Sequence, residues 1–161
     1  MDQTESKKQA DHYFDVAFER QREGQLKEAV AYYKKSLEFL PTAEAHTFLG
    51  WAYSLMGRLD EAISECKKAI ETDPEFGNPY NDIGAYLMER GMFDEAVPWL
   101  QKALKAVRYE DRMFPHYNLG RIWELKGRYR QAIDSYRAAL KEAPRYRSAK
   151  TALARVQAIL N

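Results

Sequence analysis

Cysteine is almost absent from this 161-residue sequence. Cys66 is the only one, so no disulfide can form within the chain and an oxidising compartment is not required. Long hydrophobic runs are missing too, since none approaches the ~18 to 20 residues of a membrane span. The first residues, MDQTESKKQADHYF, lack the apolar core of a signal peptide. We therefore expect a cytoplasmic protein that does not insert into membranes.

Catalytic motifs are also missing. No glycine-rich stretch has the spacing of a phosphate-binding loop. Two acidic pairs, Asp60-Glu61 and Asp94-Glu95, resemble the carboxylates that the helix dipole favours at helix N-termini, and not an acid–base pair. The sequence therefore predicts no catalytic residues, no cofactor and no enzymatic activity.

A repeated pattern is the main feature that the sequence does contain. Four glycines mark it at intervals of 33, 34 and 36 residues: Gly24, Gly57, Gly91 and Gly127. An alanine follows each glycine by five residues, and small residues stand seven before and twelve after it. A proline follows three of the glycines by seventeen residues: Pro41, Pro74 and Pro144. This regularity indicates a helix, a tight turn and a second helix in each unit.

Each repeated position has a steric reason. Glycine permits a positive φ, which ends the first helix and turns the chain. Small residues suit places where two helix backbones approach closely, because larger side chains would overpack there. Proline cannot continue a helix, so it ends the second helix of the unit.

These residues resemble the tetratricopeptide repeat family, whose motif reads roughly W-x2-L-G-x2-Y and then G, A, an aromatic residue, A and P over about 34 residues. The segment 49–74 contains these positions, and they return in the other three units. The resemblance implies an all-α fold, a right-handed superhelical stack of four helix-turn-helix units plus a C-terminal capping helix. We expect a flexible N-terminus at 1–9, repeats at about 10–42, 43–76, 77–110 and 113–146, and the capping helix at 147–161.

Some positions depart from the motif or extend it. Arg108 stands where a proline is expected, and Asp111 and Arg112 are extra residues before the fourth repeat, so the segment 108–112 is predicted to be the most flexible joint. The final segment has one apolar stripe, formed by Ala149, Leu153, Val156 and Leu160. Such a one-sided helix suits a cap that covers the last repeat, and we expect the array to finish there.

Cysteine and histidine positions follow from the same register. Cys66 corresponds to Tyr33, Leu100 and Tyr136 of the other units, which predicts a buried structural thiol. The three histidines lie early in three different repeats: His12, His46 and His116. They are expected to be about a repeat apart, too far to share a metal ion, so no metal site is predicted.

The resemblance also implies a binding surface. In the tetratricopeptide repeat family, the first helices line a concave groove that usually takes an extended peptide or a helix. The peptide-groove positions carried over to this chain are Phe14, Phe18, Thr47, Trp51, Asn81, Asp82, Tyr117, Asn118 and Arg121.

Aromatic residues at groove positions are candidate anchors, because such residues dominate interface energies. The candidate anchors are Phe14, Phe18, Trp51 and Tyr117. Alternatively, aromatic side chains close the contacts between adjacent first helices, and both interpretations stay open for Phe48 and Phe114. For Trp51 and Phe18 the groove is favoured, so Trp51 is expected to be at least partly exposed.

One type of groove is disfavoured by the sequence. Chaperone-binding members of the family hold a C-terminal carboxylate with Lys, Asn and Arg on successive first helices. The corresponding positions here carry Phe14, Phe18, Phe48, Asn78 and Asp82, and the next frame lacks the cations as well. We therefore do not expect a two-carboxylate clamp.

Charge is unevenly distributed along the chain. Residues 113–161 hold ten Lys and Arg and three acids, a surplus of +7, whereas residues 1–112 have a surplus of −6. The basic end is either a solvated surface or a dock for an acidic segment, including that of another copy in a weak homo-oligomer.

Together these features predict a non-catalytic adaptor or scaffold that binds a peptide or helix of a protein partner. The alternative is RNA binding, as in the related pentatricopeptide helical repeats. The repeat length and the acidic first two thirds disfavour a long RNA track, and only the basic last third supports it. A self-assembling scaffold is a variant of the first prediction.

Overall fold

A computed structural model describes residues 1–161 as nine α-helices without a β-sheet. The helices are α1 (Gln3–Arg22), α2 (Leu26–Phe39), α3 (Ala43–Leu55), α4 (Leu59–Thr72), α5 (Asn78–Glu89), α6 (Phe93–Lys105), α7 (Met113–Leu125), α8 (Tyr129–Glu142) and α9 (Arg147–Leu160). None of the nine combines the length and the hydropathy that a membrane span requires. The predicted all-α fold is confirmed.

The helices form four packed pairs and a final single helix. Each helix contacts the next along the chain, and the first helices α1, α3, α5 and α7 also contact one another in succession. The first helices therefore make one layer of the stack and the second helices make the other. The last helix, α9, packs on α8, as predicted for a capping helix.

The four turn glycines end the first helices as the sequence predicts. Their φ angles lie between +72° and +79°. After the first of these turns, the amide of Gln25 donates to the carbonyl oxygen of Arg20 at 2.8 Å, and Arg58, Met92 and Arg128 make the equivalent bond. This wrap-around bond satisfies a carbonyl that the end of the helix would otherwise leave free.

The small residues allow the paired helices to approach closely. A Cβ atom on Gly84 would lie 2.5 Å from Cδ2 of Leu100, and one on Gly120 would lie 2.5 Å from the ring of Tyr136. At the equivalent position in the first unit, Ala17 is fully buried. The predicted steric role of these positions is therefore confirmed.

The core also contains large polar aromatics whose hydroxyls are satisfied. Tyr33 and Tyr136 are fully buried. The hydroxyl of Tyr33 donates to Oε1 of Gln21 at 2.7 Å, and that of Tyr136 donates to Oε2 of Glu124 at 2.6 Å. Cys66 occupies the equivalent position in the second unit and is buried as predicted, and burial raises the pKa of its thiol.

The N-terminal helix begins earlier than the sequence predicted. Helical periodicity was expected near Ala10, with a flexible segment at 1–9, but α1 starts at Gln3. The carboxylate of Asp2 accepts a hydrogen bond from the amide of Glu5 at 2.8 Å. Because this side chain satisfies one of the free amides of the first turn, it stabilises the start of the helix at this point.

The joint between the third and fourth repeats is held by specific contacts, in contrast to the flexible segment predicted at 108–112. The amide of Arg108 donates to the carbonyl of Glu75 at 2.9 Å. Its guanidinium forms salt bridges with Asp73 at 2.6 Å and Glu44 at 2.7 Å, and lies 4.4 Å from the ring centre of Phe76. The residue that replaces the expected proline therefore ties the end of the third repeat to both helices of the second.

The last helix uses a slightly different apolar stripe from the predicted one. Ala149, Ala152 and Val156 are buried, whereas Leu160 is 49% exposed. Leu160 lies beside residues 127–131, at the start of α8. This end of α8 leaves about half of the Leu160 side chain uncovered. The guanidinium of Arg155 contacts Glu124 at 2.7 Å, which adds a polar contact between the capping helix and α7.

We predict that Gly84→Leu destabilises the protein. The new side chain would overlap Leu100, and overpacking of this kind costs about 1 to 3 kcal/mol of unfolding free energy. Thermal or urea unfolding measures the change. Gln101→Leu, at an exposed position of α6, is the control and should stay within about 0.5 kcal/mol of wild type. Equal stability of the two variants would contradict the close approach of α5 and α6.

Candidate functional site

The layer of first helices contains an open pocket, which we call the central groove pocket. It lies between α3, α5 and the start of α7 and has a volume of about 640 Å³. Four of its lining residues are aromatic: Phe48, Trp51, Tyr86 and Phe114. Its volume lies within the range of pockets that hold small ligands in proteins, about 300–1,000 Å³.

Aromatic rings from the first two repeats continue this surface as one cluster. Phe48 is at its centre, with ring-centre distances of 5.0 Å to Phe14, 5.8 Å to Phe18 and 5.8 Å to Trp51, all in edge-to-face geometry. Phe48 therefore closes the contact between α1 and α3. Trp51 lies at the outer side of the cluster and is 42% exposed, as predicted.

Three of the predicted groove residues are buried and hydrogen-bonded. Thr47 donates its hydroxyl to the carbonyl of Ala43 at 2.7 Å. The side-chain amide of Asn118 donates to Oδ1 of Asn81 at 3.2 Å, which links α7 to α5. Each of the three is less than 9% exposed, so they have little surface to offer a ligand.

Tyr117 and Arg121 lie towards the far end of the groove and do not line the central groove pocket. The ring of Tyr117 packs against Tyr136 at 5.7 Å and Tyr146 at 5.2 Å. The guanidinium of Arg121 is exposed and lies 5.9 Å from the ring centre of Tyr117. The predicted groove residues therefore lie in three parts of the groove. These parts are the aromatic cluster of the first two repeats, the central groove pocket and a far end that carries the cation of Arg121.

Asp82 gives the central groove pocket its distinctive electrostatics. Its side chain is half-buried, and desolvation raises the pKa of its carboxyl to about 7. Glu89 and Asp111 also line the pocket, whereas no lining residue is Lys, Arg or His. The pocket therefore combines aromatic walls with three carboxyl groups and has no cation of its own.

Several pocket residues were absent from the predicted set, although the sequence carries a signal for some of them. Tyr86 and Glu89 follow Asp82 by four and seven residues, the spacing that keeps side chains on one helix face. Leu55 follows Trp51 by four residues in the same way and is 53% exposed. Asp111 is one of the two extra residues of the joint, and its place in the pocket depends on the path of that segment.

The histidines lie apart, as the register indicates. Nδ1 of His46 lies 2.7 Å from Oε2 of Glu65, and His12 packs against Tyr13 on α1. His116 on α7 is half-buried, and desolvation lowers the pKa of its imidazole. No group of three or more His, Cys, Asp or Glu side chains is placed to share a metal ion.

We predict that Asp82→Asn stabilises the protein in a pH-dependent manner. Because folding raises the pKa of Asp82 from about 3.9 to about 7, the folded state binds more protons in this range, and stability falls as pH rises through it. The amide of the Asn variant does not ionise, so its stability does not fall in this way as pH rises. Since the half-buried carboxyl keeps some contact with water, we expect the variant to gain about 1–2 kcal/mol near pH 8 and almost nothing near pH 4.

Urea unfolding at both pH values measures this difference. Glu71→Gln, which removes an exposed carboxylate of α4 outside the pocket, is the matched control and should show no such pH dependence. Equal stability of Asp82→Asn and wild type near pH 8 would contradict the desolvation of this carboxyl.

Comparisons with known proteins agree with this architecture. Four family models described as tetratricopeptide repeat match residues 10–41, 43–76, 75–141 and 126–161. Photosystem I assembly protein Ycf3 from Prochlorococcus marinus (strain MIT 9211) is 30% identical over 140 residues, which cover 80% of this chain and 81% of that protein. The chain spans only 6% to 22% of the length of several other curated relatives that it matches.

Solved structures share the fold at low sequence identity. A structure reported in a functional characterisation of Pseudomonas aeruginosa pilF has a TM-score of 0.86 and 23% identity, covering 94% of this chain and 68% of that one. YrrB, described as a TPR protein with an unusual peptide-binding site, has a TM-score of 0.67 and 23% identity, covering 91% and 75%. With the family models and the Ycf3 relative, these findings establish that the chain belongs to the tetratricopeptide repeat family.

Proposed function

We propose that this protein is a non-catalytic adaptor that binds a peptide or helix of a protein partner in the groove of its first helices. The observation that carries the proposal is the central groove pocket, whose aromatic wall includes the 42% exposed Trp51. Exposed aromatic side chains beside a pocket are typical binding anchors, because their burial by a ligand supplies much of an interface's energy.

The family supports the same class of function. Tetratricopeptide repeat proteins mediate protein–protein interactions. YrrB is described by its peptide-binding site and Ycf3 as an assembly protein, and both descriptions fit a chain that acts by binding other polypeptides. This adaptor function also accounts for a surface that offers anchors and no catalytic group.

The proposed ligand contacts differ along the groove. Phe18 and Trp51 are the main anchors, and Phe14 and Phe48 support them from behind through edge-to-face contacts. Asp82 contributes polarity in the centre. Because Thr47, Asn81 and Asn118 are buried and hydrogen-bonded, we assign them mainly to holding the helices in place. Tyr117 and Arg121 would contact the far end of a longer ligand.

The two alternatives have less support. A nucleic acid requires cations along its phosphates, whereas the central groove pocket is lined by acids and no cation. Self-association was expected to use the basic end of the chain. However, Arg155 at that end is paired with Glu124, so fewer cations remain free for contact with another copy.

Affinity capture from the source cell tests the adaptor function. We expect partners retained by wild type to be lost with the double variant Phe18→Ala, Trp51→Ala, because truncating a single anchor typically costs on the order of 2 kcal/mol of binding. Val107→Ala is the control, since Val107 is 77% exposed and lies outside the central groove pocket. Melting temperatures of all three proteins show whether they remain folded.

Retention of the same partners by the folded double variant would contradict binding through this groove. Loss of the partners with Val107→Ala as well would show that the interaction does not depend on the anchors specifically. Quantitative mass spectrometry of the captured proteins measures each ratio of variant to wild type.

A further inference from the structure

The central groove pocket brings three acids together without any cation among its lining residues. Some carboxylates at other places pair with cations of the next repeat, as Asp60 does with Arg90 at 2.5 Å and Glu44 with Arg108 at 2.7 Å. No salt bridge of this kind involves Asp82, Glu89 or Asp111, although all three line one pocket.

The aromatic rings of the pocket show the same contrast. The other two tryptophans each have a protein cation over the ring, with Lys102 at 4.6 Å from the ring centre of Trp99 and Arg128 at 5.6 Å from that of Trp123. Trp51 has none, and neither has Phe48 or Phe114. Aromatic faces attract Lys and Arg through cation–π contacts, which strengthen as water is removed.

We propose that the central groove pocket binds a Lys or Arg side chain of a partner polypeptide, with Asp82 as its ion-pair partner and Trp51 as its aromatic wall. This inference rests on the proposed adaptor function and specifies the chemistry of the ligand. Glu89 and Asp111 add negative potential at the pocket, which favours a basic segment over an acidic one through charge complementarity. Apolar residues that flank the cation in the ligand would contact Phe18 and Phe48.

Such binding is coupled to pH. A cation favours the ionised carboxylate, so it lowers the pKa of Asp82 and releases the proton that desolvation retains near pH 7. The titratable groups facing Asp82 are Cys66 from α4, Tyr86 and Glu89 from α5, and Tyr109 and Asp111 from the joint before α7. All are acids, and the lining residues of α3 carry no charge. Affinity for a basic peptide should therefore rise between about pH 6 and pH 8.

A library of random peptides about twelve residues long tests the proposal, because at about 3.3 Å per extended residue they can span several repeats. Selection on the full-length protein near pH 8 should enrich peptides with Lys or Arg beside apolar residues. The best peptide is then synthesised, together with a copy in which acetyl-lysine or citrulline replaces the basic residues. Fluorescence polarisation measures the affinity of both peptides.

We expect the neutral copy to bind wild type at least about tenfold more weakly, because charge-assisted bonds are among the strongest polar contacts. Asp82→Asn should weaken binding of the basic peptide by a similar factor near pH 8 and by a smaller factor near pH 6. Glu71→Gln, the exposed acid outside the pocket, should leave affinity unchanged. Trp51→Ala should weaken binding of both peptides.

Other results separate the two proposals. Selected peptides without Lys or Arg that still depend on Trp51 would overturn the cation site and leave the adaptor function standing. Full affinity with Asp82→Asn would also overturn it, since Asp82 would then act only as a neutral hydrogen-bonding group. If no peptide depends on Trp51, both the groove function and the cation site are contradicted.

Discussion

The close approach of the two helices within each repeat is the constraint on which the structure depends. At Gly84 and Gly120 no side chain fits, because Leu100 and the ring of Tyr136 already occupy the space where a Cβ would extend. The large partner residue can be fully buried only because its neighbour is small. The pairing of a small residue with a large one sets the distance between the two layers of helices. The layer of first helices then forms the groove.

This constraint explains why the fold could be predicted from the sequence. The small residues and the turn glycines are local steric requirements that recur in all four units, and the terminal prolines recur in three, so their spacing indicates the number and order of helices. The helix start at Gln3, which Asp2 caps, and the contacts of Arg108 at the joint were not predicted, because each depends on hydrogen bonds and ion pairs that leave no periodic pattern. A cap or a bridging arginine is recognised only when its partners are placed in space.

The candidate site was less predictable for the same reason. The repeat register placed Trp51 and Asp82 on the first helices of their repeats. It does not say which side chains of these helices remain accessible to a ligand. Asn81 and Asn118 bond to each other and are buried, whereas Glu89 reaches the central groove pocket two turns beyond Asp82. The half-buried state of Asp82 depends on its position between three helices and the joint, and no single repeat encodes it.

The distribution of charge separates contacts that serve folding from those available to a partner. Cations of one repeat meet acids of the preceding one at the edges of the stack, as Arg90 meets Asp60 and Lys126 meets Asp94. These pairs are exposed on the acidic side and contribute little stability individually. A pocket that keeps a desolvated carboxyl without such a partner costs stability in the free protein. In the proposed complex a cation of the ligand would offset that cost, and specificity and affinity would then both come from the charge that the fold leaves unpaired.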